Sequence, residues 1–147
     1  MNRPNNQYGR NNNFHQRNRD EETILPDFKG EWIAEGANDS MIDFVEKLGK
    51  KLKAKGVSAS QLRNIYGEIM RIKLKGYNEN QTDFKLLKPK VAYNYGRINN
   101  KREKDGFKEF VDVFNQAHNS VKDEKSFENF QKFFEAILAY HKYYGGK

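Results

Sequence analysis

Apolar side chains recur at helical spacing through one central segment of the chain. Between Ser60 and Lys75 they return every three or four residues, which is typical of one buried helix face. The positions on this face are Leu62, Ile65, Tyr66, Ile69 and Ile72. A second row at steps of four lies well away from it and consists of Arg63, Gly67, Arg71 and Lys75. The segment therefore predicts a helix that buries one side and exposes a basic one.

Gly67 is an unusual residue for the middle of such a helix. Glycine in a helix interior costs on the order of 1 kcal/mol relative to alanine. It lies between two arginines of the basic row, which suggests that another molecule approaches the backbone closely there.

The same periodicity predicts further helices on both sides of this one. The expected helices cover about 40–55, 60–75, 89–101, 106–120 and 125–143. The expected N-caps are Asp39 or Ser40, Ser58 or Ser60, and Asp105. Gly56 and Gly76 should end the first two helices, a polar loop should cover 77–83, and a short turn should precede Pro89. Since no strand pattern and no repeat is present, the predicted fold is all-α, a compact bundle of about five helices.

The N-terminal region differs in composition from the rest. Residues 1–22 are rich in Asn, Arg and Gln and lack periodicity, which predicts a disordered tail. Its arginines could touch RNA, but a solvated tail is the simpler interpretation. Residues 23–38 should form a hook that docks onto the body, with Trp32 as a core anchor. Residues 23–147 are thus expected to form a single helical domain.

Charge is concentrated in one region. The 147-residue chain has a net charge of +7 and a pI of about 9.5. The segment from Lys47 to Lys104 holds sixteen Lys or Arg and four acidic residues, a local charge of +12, so the remainder carries −5. A regional excess indicates a binding surface for an anionic partner, of which nucleic acid is the commonest.

Several function classes lack support in the sequence. There is no cysteine, no apolar run of the ~20 residues that span a bilayer and no apolar signal core. We therefore expect a cytoplasmic protein without a membrane partner. No catalytic or phosphate-loop motif occurs, and His15, His118 and His141 are isolated, which favours structural or surface roles for them. The prediction is a binding protein, not an enzyme, without metal or cofactor.

Cations near an exposed aromatic side chain are the candidate binding residues. Lys90, Tyr93, Arg97 and Lys101 fall on one side of the predicted helix that starts at Pro89. Lysine and arginine neutralise phosphates, and a tyrosine between them can stack on an unpaired base. The alternative is a solvated charged face whose tyrosine packs on a neighbour. The predicted RNA-binding residues are Lys53, Arg63, Arg71, Lys88, Lys90, Tyr93, Arg97 and Lys101.

Three blocks of this sequence resemble the small subunit of type III-A CRISPR–Cas effector complexes, the α-helical protein of the Csm complex. The blocks are SQLRNIYGEI at 60–69, LKPKVAYNYGR at 87–97 and FFEAILAYHK at 133–142. In order and spacing they cover about residues 58–144, while the first 38 residues match nothing recognisable.

The resemblance implies a non-catalytic role in antiviral defence. Copies of the subunit would line up head to tail along the crRNA, line the channel for the crRNA–target RNA heteroduplex, and touch the large polymerase-like subunit. A helical scaffold protein whose basic surface binds an acidic protein partner remains the alternative.

Overall fold

The computed structural model describes residues 23–147, and these residues form an all-helical structure without strands. A 3₁₀ turn at Leu25–Asp27 precedes the first α-helix. The α-helices are α1 Glu31–Ala34, α2 Asp39–Ala54, α3 Ala59–Lys75, α4 Gln81–Lys85, α5 Leu87–Arg97, α6 Lys101–Asn119 and α7 Glu124–Tyr143. The all-α prediction is confirmed, and the expected tail at 1–22 lies outside the described residues.

Helix α7 is the centre of the bundle. It packs against α1, α2 and α3, while α5 packs on both α3 and α6. Its buried face is largely aromatic and consists of Phe127, Phe130, Phe133, Phe134 and Ile137. These rings meet the phenylalanines of α6, for example Phe110 against Phe134 at 5.4 Å between ring centroids. The predicted last helix, over 125–143, is confirmed within a residue of its bounds.

The segment before α2 docks onto this core, as expected. Trp32 is 2% exposed, and its ring lies 5.1 Å from that of Phe44. Its indole N–H donates to the hydroxyl of Ser40 at 3.1 Å. Since the ring is buried and the N–H is paired, Trp32 is a core anchor.

Two of the three predicted N-caps are wrong and one is confirmed. Helix α2 is capped by Asn38, whose side chain accepts from the Met41 N–H. Asn38 has the extended backbone that an N-cap needs, whereas Asp39 is already helical. Ser58 caps α3, one of the two predicted residues. Helix α6 begins before Asp105, because Asn100 accepts from the Glu103 N–H at 2.9 Å.

The predicted helix over 89–101 is wrong at both ends. Helix α5 starts at Leu87, and Pro89 is tolerated at its third position because the first N–H groups of a helix have no intrahelical acceptor. The helix ends at Arg97, since Ile98 adopts an extended backbone and is buried. The expected loop over 77–83 is likewise interrupted by α4, which begins at Gln81.

Two histidines are buried with hydrogen-bond partners in the backbone. The His118 Nε2–H donates to the carbonyl of Phe84 at 2.7 Å, and the His141 Nε2–H donates to that of Val57 at 2.8 Å. The described residues hold no group of three or more His, Asp or Glu placed to bind a metal. His15 lies outside the described residues.

Fold stability should fall as the pH drops from 7 to 5. Burial lowers the pKa of His118 and of His141, and nearby lysines, including Lys88 and Lys142, lower them further, against the opposing effect of the carbonyl bonds. The unfolded chain, whose histidines keep a pKa of about 6.5, therefore takes up protons first. The free energy of unfolding therefore keeps its full value above a pH of about 6.5. Below that pH it falls by up to about 1.4 kcal/mol per pH unit for each histidine.

Urea denaturation at several pH values measures this loss. The double variant His118→Gln and His141→Gln keeps an N–H donor near each carbonyl but cannot titrate, so its stability should change less over this range. An equally steep decline in the double variant would assign the effect to other groups.

Candidate nucleic-acid interface

Helices α3 and α5 enclose a surface groove of about 680 Å³. The two helices pack against each other. The groove between them is lined by buried apolar residues, including Ile65 and Val91, and by more polar residues. Its polar lining consists of Arg63, Asn64, Glu68, Arg71, Lys90, Tyr93 and Asn94. The groove is thus framed by two rigid helices instead of loops.

The groove brings together four of the predicted RNA-binding residues. Arg63 and Arg71 come from α3, and Lys90 and Tyr93 come from α5. The three cationic side chains and the tyrosine are all exposed. Cations from separate parts of the sequence therefore share one surface, which the helical rows alone did not establish.

Gly67 lies on the wall of this groove. A Cβ built at Gly67 would meet no atom of the described residues within 4 Å. Two other helical glycines differ, since a Cβ at Gly49 or Gly106 would collide with a neighbouring helix or side chain. Packing within the described chain explains those two glycines and does not explain Gly67.

Glu68 lines the groove and was not among the residues predicted from the sequence. Its Oε2 lies 3.1 Å from Nη1 of Arg71 and 3.3 Å from Nζ of Lys90. The spacing of three residues between Glu68 and Arg71 was a sequence signal for the first ion pair. The pair with Lys90 depends on the packing of α5 against α3, and no local pattern predicts it.

Tyr93, which lines the groove, forms a pair with Arg97 outside it. The Tyr93 side chain is 66% exposed, and the Arg97 guanidinium carbon lies 5.7 Å from the centre of its ring. Contact with a cation restrains the ring while leaving much of it open to solvent. The ring is therefore available for stacking, although Arg97 itself does not line the groove.

Three predicted residues lie elsewhere on the molecule. Lys88 donates a hydrogen bond to Asn119 of α6. Lys101 is the first residue of α6 and lines a separate cavity of about 250 Å³, so the expected row from Lys90 to Lys101 on one helix is wrong. Lys53 lines another cavity, of about 300 Å³, together with Gly145. A role for these lysines in RNA binding stays a prediction.

The groove has the chemistry of a phosphate-binding surface. Three cations and one carboxylate leave an excess of positive charge, and Lys and Arg bind phosphate oxygens through charge-assisted hydrogen bonds.

No helix in the described part of the chain is long and apolar enough to cross a membrane.

A protein-family model for Csm2 Type III-A matches residues 36–147. Neither the curated proteins nor the solved structures contain a match. The family match covers well over half of the chain and includes all of α2 to α7, and it agrees with the three sequence blocks that resemble this family. The chain therefore belongs to the Csm2 family and is a small subunit of the type III-A CRISPR effector, the Csm complex.

Proposed function

We propose that this subunit is a non-catalytic RNA-binding protein that lines the channel for target RNA paired to crRNA. The observation that carries the proposal is the groove between α3 and α5, where Arg63, Arg71 and Lys90 share one surface. Family membership implies association with the other Csm subunits. The large polymerase-like subunit and further copies of this chain are the partners we propose within that assembly.

The groove suits contacts with the sugar–phosphate backbone more than contacts with base edges. Its cations lie on exposed helix faces, and the bare Cα of Gly67 allows a close approach between Arg63 and Arg71. Phosphate contacts position a nucleic acid without reading its sequence. In an RNA-guided complex the guide supplies sequence specificity by base pairing, so the protein needs only to hold the duplex.

Single alanine variants test the proposal through the salt dependence of RNA binding. Each phosphate contact that is lost should reduce the slope of log affinity against log salt by about 0.7–0.9. We expect this reduction for Arg63→Ala, Arg71→Ala and Lys90→Ala in the assembled complex. Lys132→Ala, which removes an exposed cation on α7, should leave the slope unchanged, and the loss should be similar for unrelated RNA sequences.

The alternative partner is an acidic protein. If all three groove variants keep the affinity and the salt slope of the assembled complex, the basic surface serves a protein partner instead. Pull-down of the Csm subunits with the same variants would then show which subunit contacts the groove.

Assembly should depend on an exposed apolar residue at the end of α3. Leu74 is 83% exposed, and Met70, one turn earlier, is half-buried. We expect both to contact copies of the chain or neighbouring subunits. Leu74→Ser should leave the melting temperature nearly unchanged, because the side chain has little to lose on unfolding, and should weaken assembly as measured by mass photometry of the reconstituted complex.

Ile42→Ser on α2 is the matched control, since Ile42 is also exposed, at 38%. If the Leu74 variant assembles as well as the unchanged chain, Leu74 is not part of the interface. A collapse of the melt would instead show that Leu74 belongs to the core.

A further inference from the structure

We propose that Glu68 is an internal counter-ion that occupies the phosphate position of the groove until RNA displaces it. This inference rests on the proposed function and adds a control element to the same site. Glu68 thereby weakens binding of RNA to the free subunit.

The geometry places one oxygen atom between two helices. Oε2 of Glu68 is within 3.1 Å of Arg71 on α3 and 3.3 Å of Lys90 on α5. An oxygen of a phosphate that bridges the two helices would need the same two donors. The carboxylate and a bridging phosphate are therefore alternative occupants of one position.

The exposure of the three side chains makes the exchange possible. The side chains of Arg71 and Lys90 are 60% and 53% exposed, and that of Glu68 is 30% exposed. Ion pairs with this much solvent access contribute little to stability. The contact is thus too weak to be needed for the fold, and Glu68 can swing away at small cost.

The charge balance determines the effect on binding. Arg63 has no acidic partner among the described residues, whereas Arg71 and Lys90 share Glu68. A phosphate that enters the groove must compete with this carboxylate and, once bound, lies close to a like charge. Removing the negative charge should therefore strengthen RNA binding, the opposite of what loss of a structural ion pair would do.

The experiment compares Glu68→Gln with Glu79→Gln in the free 147-residue chain. Both variants raise the net charge from +7 to +8, but Glu79 is an exposed residue outside the groove. Binding of an oligouridine RNA is measured by fluorescence anisotropy over a range of salt concentrations. For Glu68→Gln we expect an affinity roughly four- to sixfold higher at 0.15 M salt and a slope about 0.7–0.9 steeper, as for one added phosphate contact. Glu79→Gln should change both much less.

A double-variant background locates the effect. With Arg71→Ala and Lys90→Ala already in place, Glu68→Gln should raise the affinity much less, because the cations that the carboxylate neutralises are gone. The melting temperature of Glu68→Gln should equal that of the unchanged chain.

Two failures can be told apart. If Arg71→Ala and Lys90→Ala lower the affinity but Glu68→Gln lowers it too or leaves it unchanged, Glu68 positions the cations and the inference is wrong, while the proposed function stands. If the alanine variants do not lower the affinity of the assembled complex, the proposed function is wrong and the inference falls with it.

Discussion

Replacement of Arg63, Arg71 and Lys90 together by alanine is expected to lower the RNA affinity of the assembled complex on the order of 100-fold at 0.15 M salt. Three lost phosphate contacts reduce the slope of log affinity against log salt by about 2–3. If the variant and the unchanged chain bind RNA equally at 1 M salt, this change in slope lowers the affinity at 0.15 M salt on the order of 100-fold. The groove is where cations of two helices meet, so no other cluster should compensate fully. Filter binding or anisotropy across a salt series measures both quantities.

A charge-matched triple variant is the control for this experiment. It removes three exposed lysines outside the groove, Lys29, Lys122 and Lys132. The groove variant should lose far more affinity than the control at low salt, and the two should converge near 1 M salt. Equal losses in both variants would show that only the overall charge matters and that the groove is not the contact surface.

Gly49→Ala is expected to destabilise the fold markedly, although alanine is the better helix former. The new Cβ would lie 2.7 Å from Cβ of Tyr140 and 2.8 Å from the backbone nitrogen of His141. These atoms belong to α7 itself, so α2 and α7 would have to move apart. Overpacking of this kind costs roughly 1–3 kcal/mol, and Gly49→Val, which adds two further methyl groups, should abolish cooperative unfolding.

Gly67→Ala is the matched control for Gly49→Ala and should raise the stability of the fold instead of lowering it. Gly67 is exposed, and a Cβ there would meet none of the described atoms, so the helix should gain about 1 kcal/mol. Thermal and urea denaturation of both variants compares the two effects. Gly67→Ala should also bind RNA more weakly if a phosphate approaches the Gly67 backbone. The variant would then gain stability and lose RNA affinity, so the two effects can be measured separately.

Periodicity was sufficient to predict most of the fold. The α3 stripe at Leu62, Ile65 and Ile69 is buried as expected, because burial of an apolar face dominates the placement of a helix. Boundaries were less certain. Asn38 caps a helix whose predicted cap was Asp39 or Ser40, because adjacent residues could each supply the capping oxygen. Asn100 caps a helix whose predicted cap was Asp105, five residues further on.

The cations of the candidate site could be predicted from the sequence, whereas the full set of residues that line the site could not. The rows on α3 and α5 indicated cations at Arg63, Arg71 and Lys90, and the structure places these together. Glu68 was missed because its second partner, Lys90, lies 22 residues away, beyond any local spacing rule. Lys101 was assigned to the wrong helix because the buried Ile98 ends α5 early.

The position of α7 at the end of the described chain has a consequence for biosynthesis. The first helices leave the ribosome long before the helix that covers them, as the bond from the Asn129 amide to the Ile33 carbonyl spans 96 residues. Until α7 emerges, the apolar faces of α1 to α3 lack their main partner, and contacts of such long range form slowly. Nascent chains stalled before α7 should therefore remain sensitive to proteases and dependent on chaperones, whereas chains released after α7 should resist digestion.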